Sequence, residues 1–81
     1  MPEIKVGQIY KSKYNSNIKV AITQETLAGF NIIYTDGSVQ KAVNAYEFDD
    51  IWVFENEYPT WQEAVNSKEF NQKKGEENES R

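Results

Sequence analysis

Cysteine and histidine are both absent from this 81-residue chain. Without cysteine there is no disulfide framework and no thiolate metal site, and the redox compartment stays open. Without either residue the usual nucleophile and base pairings of covalent catalysis are missing, and no Ser or Thr sits in a motif that supplies it with a base. Only carboxylates and tyrosines remain for proton chemistry, so no enzymatic activity is expected. Glu47, Asp49 and Asp50 lie close together but lack the glycine and ligand spacing of a calcium loop. They read as a solvated acidic turn, with no metal and no cofactor. The four glycines are scattered and form no phosphate-cradling loop, and arginine is absent before Arg81. No apolar run approaches the roughly 18 residues of a membrane span. The N-terminus also lacks the basic stretch and apolar core of a secretory signal, so a complete, cytoplasmic protein is expected.

Aromatic side chains, by contrast, are plentiful. Five Tyr, four Phe and two Trp, with 38% hydrophobic residues overall, argue for a folded domain and against wholesale disorder. A chain of this length holds one core at most, and that core is marginal unless nearly every strand contributes to it. Charge is unevenly placed: five lysines balance five carboxylates between residues 4 and 54, whereas residues 55–81 carry seven Glu against three Lys and Arg81. A neutral body with an acidic end is a poor electrostatic match for a phosphate backbone.

The strongest local signal is Asp36-Gly37 between two β-forming runs. A two-residue type I′ turn there sets Thr35 opposite Ser38, Tyr34 opposite Val39, Ile32 opposite Lys41 and Phe30 opposite Val43. Phe30, Ile32, Tyr34, Val39 and Val43 then share one face, the expected core. Before this hairpin, Val6 to Lys11 reads as a first strand, and Lys13 to Asn17 as a polar loop. The alternation of Ile18, Val20 and Ile22 with Lys19, Ala21 and Thr23 reads as a half-buried second strand. Leu27 is expected to plug the loop that follows. After it, Asn44 is a good N-cap for one helical turn that brings Phe48 to the end of the core. Ile51-Trp52-Val53-Phe54 is a last short strand, apolar on both sides. Thr60 and Glu63 form a capping box, and Trp61, Ala64, Val65 and Lys68 follow at helical spacing. That stripe is too short to fold alone, so Trp61 is expected to dock over Trp52, each covering the other's excess. Phe70 lies off the stripe, so either the helix stops near Ser67 or Phe70 is exposed. Residues 71–81 contain no apolar side chain and are expected to be disordered.

The glycine-led first strand (Val6 to Tyr10), alternating second strand, Tyr34-Thr35-Asp36-Gly37 hairpin, short turn and last strand together resemble the five-stranded SH3-like barrel, with a hairpin similar to that of Tudor-type members. In size and style the chain also resembles small barrel proteins of phages and prophages of Gram-positive bacteria. The resemblance implies a mainly β fold: a barrel over residues 1–56, a C-terminal helix packed on it over 57–70, and a tail over 71–81. That superfold hosts protein, peptide, methylated-residue and nucleic-acid binding, so it does not select among functions.

Three readings follow. In the leading one the chain is a protein-binding module, by analogy a phage-type accessory or inhibitor of a host protein, with Tyr10, Tyr14 and Tyr46 as aromatic contacts. Glu47, Asp49, Asp50, Glu55 and Glu57 would steer a partner with a basic surface. In the second, Lys11, Lys13 and Lys19 of the first hairpin, with the tyrosines between them, bind single-stranded nucleic acid, against the plainer view of a solubilising face. The third is self-association through strand edges or an undocked helix face.

Overall fold

In the computed structural model, which describes residues 3–71, five antiparallel strands form a single sheet with two short helices. The strands are β1 (Gln8–Ser12), β2 (Lys19–Thr26), β3 (Gly29–Tyr34), β4 (Val39–Val43) and β5 (Trp52–Glu57), in spatial order β4-β3-β2-β1-β5. Helix α1 (Ala45–Ile51) joins β4 to β5, and α2 (Trp61–Val65) follows β5. Among the described residues β4 and β5 are the two free edges, so the sheet is open. No helix among them is long and apolar enough to cross a membrane.

The hairpin signal lies where expected, but its register differs. Tyr34 N–H donates to Ser38 O (2.8 Å) and Gly37 N–H to Tyr34 O (2.9 Å), leaving three residues in the loop. Gly37 has φ +93° and Asp36 is not left-handed, which is the pattern of an ordinary turn closed by one left-handed glycine. Ile33 therefore opposes Val39 and Ile32 opposes Gln40. This one-residue slip turns Val39 out of the core, where it is 53% exposed. A bulge then restores the alternation: Ala42 adopts φ +57° and Val43 returns to its place opposite Phe30, buried. Asn31 Oδ1 accepts from the Ala42 N–H (3.1 Å), offsetting part of the left-handed strain.

One face of the sheet packs Tyr10, Val20, Ile22, Phe30, Ile32 and Trp52 around Phe48. The expected helical turn supplies that plug. Asn44 caps α1 by accepting from Tyr46 N–H (2.8 Å), and the Phe48 ring meets Tyr10 edge-on (4.7 Å) and Phe30 edge-on (5.0 Å) and stacks on Trp52 (5.9 Å). Ile51 ends the helix rather than opening the strand.

The opposite face is covered as well, which overturns the pairing of Trp61 with Trp52. Trp52 belongs to the Phe48 side, whereas α2 lies across β1 and β2 on the other side, with Ala64 and Phe70 packed against Ile9 and Ala21. Trp61 is only half-buried. Thr60 caps α2 as expected, accepting from Glu63 N–H (3.2 Å). The helix stops at Val65, and a turn through Ser67 delivers Phe70 to the core, so the first of the two alternatives for that residue holds. Because both faces are covered, β2 is not half-buried: Lys19 and Ala21 are buried with Val20 and Ile22. Asn71 is tied back by its side-chain amide to Val65 O and Ser67 O, and the rest of the expected disordered tail lies outside the described residues.

Two glycines separate the contributions of strain and space. A Cβ on Gly29 (φ +148°) would collide with the Val43 carbonyl oxygen, whereas one on Gly37 would meet nothing within 4 Å. Gly37→Ala should cost about 1–2 kcal/mol, the price of a left-handed non-glycine residue. Gly29→Ala should cost clearly more, and equal denaturant midpoints for the two variants would contradict the close packing of Gly29 on β4.

Candidate functional site

The expected contact residues do not form one surface. Tyr10 is 3% exposed, its ring among Phe48 and Phe54, and its hydroxyl donates to Gln8 Oε1 (2.9 Å), so it is a core residue and not a contact. Gln8 is itself buried. Its oxygen also accepts from Lys5 N–H (2.8 Å) and its amide donates to Glu3 O (2.7 Å), which leaves no idle polar group. Burial pushes the Tyr10 hydroxyl up to about 12, with the charges of Asp49 and then Glu57 adding to the shift. Tyr14 and Tyr46 are exposed, but at opposite ends of the sheet.

The end that carries Tyr46 is the better built of the two. Gly29 packs against Val43 and so brings the β2–β3 hairpin tip beside the start of α1. Leu27, expected under its loop, stands fully exposed at that tip, and Tyr46 is 85% exposed in the first turn of α1. Beyond Thr23 the β2 strand is exposed, and Glu25, Glu47 and Glu57 are exposed at the same end. The burial preference of leucine pointed the wrong way here. The usable signal was its place in Thr26-Leu27-Ala28-Gly29, a hairpin tip closed by glycine, where a side chain has nothing to pack on.

The lysines are also divided. Lys13 is exposed and Lys11 half-buried, but Lys19 has a side chain only 8% exposed, with Nζ donating to Glu55 Oε2 (3.1 Å) and to Glu69 O (2.9 Å). Glu55, expected on an acidic surface, is thus the partner of a buried lysine on the face that α2 covers. Its Oε1 is buried without a hydrogen-bond partner among the described residues. Around the pair runs a cleft of about 420 Å³ lined by Lys11, Ser16, Asn17, Glu69 and Phe70. Glu69 in turn accepts from the Tyr58 hydroxyl (2.5 Å) and Asn56 Nδ2 (2.7 Å), and the Tyr58 hydroxyl is pushed up chiefly by that bond. This network fastens the segment after α2 to the sheet. Among the described residues no three acidic side chains converge as metal ligands.

Two measurements follow from these placements. The folded pKa of Tyr10 lies above its unfolded value of 10.0, so its contribution to stability is complete below pH 10 and is lost as pH rises toward about 12. An ultraviolet phenolate titration should show a late step near pH 12 that Tyr10→Phe removes; an unchanged titration curve would place Tyr10 at the surface. For the ion pair, Glu55→Ala should destabilise by about 2–4 kcal/mol because it leaves a lysine buried without its carboxylate, and Lys19→Met should cost less. Thermal melts in the reverse order would mean that the pair is not buried.

Neither protein-family models, nor curated proteins, nor solved structures give a match to this chain.

Proposed function

We propose that the chain is a non-catalytic protein-binding module, built as a small SH3-like barrel, that engages its partner through the Leu27 and Tyr46 end of the sheet. The four-strand meander β1–β4, followed by a short helix and a last strand that returns to pair with β1, supports the barrel assignment. The observation that carries the function is the exposure of a leucine and a tyrosine at one end of the sheet, where Gly29 packs closely on β4 and Glu25 and Glu47 are exposed as well. Large apolar side chains on a fixed backbone give contact area at low ordering cost, and flanking carboxylates steer a partner that presents lysine or arginine. Such a module would act in the cytoplasm as an accessory or inhibitor of another protein. The nucleic-acid reading has less support, because Lys19 is engaged with Glu55 rather than aligned with Lys11 and Lys13.

Immobilised wild-type chain is expected to retain, from an extract of its source cells, a protein that the Leu27→Asp, Tyr46→Ala double variant does not. Both substituted side chains are exposed, so the variant should melt within about 2 °C of the parent. Retention of the same proteins by both chains, or of none by either, overturns the reading.

A further inference from the structure

Three parts of the chain contribute to the cleft around Lys19 and Glu55, at the opposite end of β2 from Leu27. The strands supply Lys11 and Lys19, directly opposite each other on β1 and β2, and Glu55 on β5. The β1–β2 loop supplies Ser16 and Asn17, held by Ser12 N–H on Ile18 O (3.0 Å) and by Asn17 N–H on Asn15 Oδ1 (3.0 Å). The turn after α2 supplies Glu69 and Phe70, fixed by the Glu69 bonds to Tyr58 and Asn56 and by Phe70 N–H on Ser67 Oγ (3.2 Å). Two groups in this lining are unsatisfied. Glu55 Oε1 is buried without a hydrogen-bond partner, which ordinarily costs free energy. Lys11 makes no side-chain hydrogen bond or ion pair among the described residues, although it stands opposite a second cation, a like-charge pairing that destabilises a sheet.

We infer that this cleft binds a small zwitterion, a free α-amino acid being the chemical class that fits. Two lysines and two glutamates line it, so the lining carries no net charge and disfavours a simple anion or a simple cation. Its charge is separated instead, with a carboxylate oxygen that lacks a donor and an ammonium group that lacks an acceptor. Water can serve the oxygen alone, whereas an ammonium and a carboxylate on one carbon serve Glu55 and Lys11 together. Lys11 pairs with Val53, two residues before Glu55, and such diagonal neighbours stand roughly 7–8 Å apart, a gap that one amino acid with its hydrogen bonds spans. The Glu55 side chain is 26% exposed and the terminal torsion of a glutamate is soft, so a donor in the cleft reaches Oε1 by a small turn of the carboxylate. The side chains of Ser16 and Asn17 make no hydrogen bond among the described residues and are left for the ligand's own side chain. The volume of about 420 Å³ lies within the range of small-molecule sites, roughly 300–1,000 Å³. The cleft is separate from the Leu27 end, so this inference goes beyond the protein-binding reading and does not rest on it.

Amide chemical shifts of the isotopically labelled chain test this with glycine, L-serine and L-glutamine as probes. Each is raised to about 20 mM, which covers dissociation constants on the order of 10⁻⁴ to 10⁻³ M, as expected of so small a ligand in an open cleft. At least one probe should shift the amides of Lys11, Ser16, Asn17, Glu55 and Phe70 in a saturable way and leave Leu27 and Tyr46 in place. The amide of that amino acid, which lacks the carboxylate, and its N-acetyl derivative, which lacks the ammonium, should each bind at least about tenfold more weakly. Lys11→Met should bind the amino acid and its amide equally weakly, because the group that tells them apart is gone. No saturable shift with any of the three probes overturns the inference. So does wild-type binding of the amide or the N-acetyl derivative as tight as that of the amino acid, or parental affinity in Lys11→Met. The comparison of ligands is made on the wild-type chain, so it is decisive even if Lys11→Met does not fold.

Discussion

Covering an open five-stranded sheet on both faces with so short a chain is the constraint that shapes the rest of the molecule. Two inserted aromatics meet it. Phe48 arrives from α1 and fills one face against Tyr10, Phe30 and Trp52, and Phe70 arrives from the turn after α2 and closes the other over Ile9 and Ala21. Neither belongs to a strand. Each is delivered by a short helical element whose N-cap, Asn44 or Thr60, satisfies its first free backbone donors, so loss of a cap would reach the core through the aromatic it positions.

The double covering also explains why polar residues lie inside. Lys19 points to the face that a half-exposed sheet would leave wet, and once α2 and Phe70 cover that face its ammonium group must find acceptors, which it does in Glu55 and the Glu69 carbonyl. Gln8 does the same at the start of β1 by bonding Lys5, Tyr10 and Glu3. The Gln8 bonds are local, whereas those of Lys19 link stretches of chain far apart in sequence and fix how the C-terminal segment lies on the sheet.

Strand identity, strand number and both helix caps were legible in the sequence because they depend on local patterns: alternation, Asp-Gly, Asn44 and the Thr60 to Glu63 spacing. Register was not. Whether Asp36-Gly37 closes a two- or a three-residue loop is decided by the backbone of Asp36, and the compensating bulge rests on a left-handed Ala42, a conformation that alanine does not advertise. The side to which α2 docks was likewise hidden, since an apolar strand such as Trp52-Val53-Phe54 fits either face, and Phe70 lies beyond the helical stripe. Among the candidate contact residues, Tyr14 and Tyr46 lie at the surface, whereas Tyr10 and Lys19 were drawn inward by a covering that the alternation of β1 and β2 does not reveal.

Phe70 carries one more consequence, for biosynthesis. Its neighbours Ile9 and Ala21 leave the ribosome early, but the ring that shields them is made some fifty residues after Ala21. While translation proceeds, β1 and β2 can pair and Phe48 can seat, yet one side of the nascent sheet stays apolar and bare until residue 70 emerges. Until then the half-dressed sheet, rather than the finished fold, is the form that offers a holding chaperone an apolar surface.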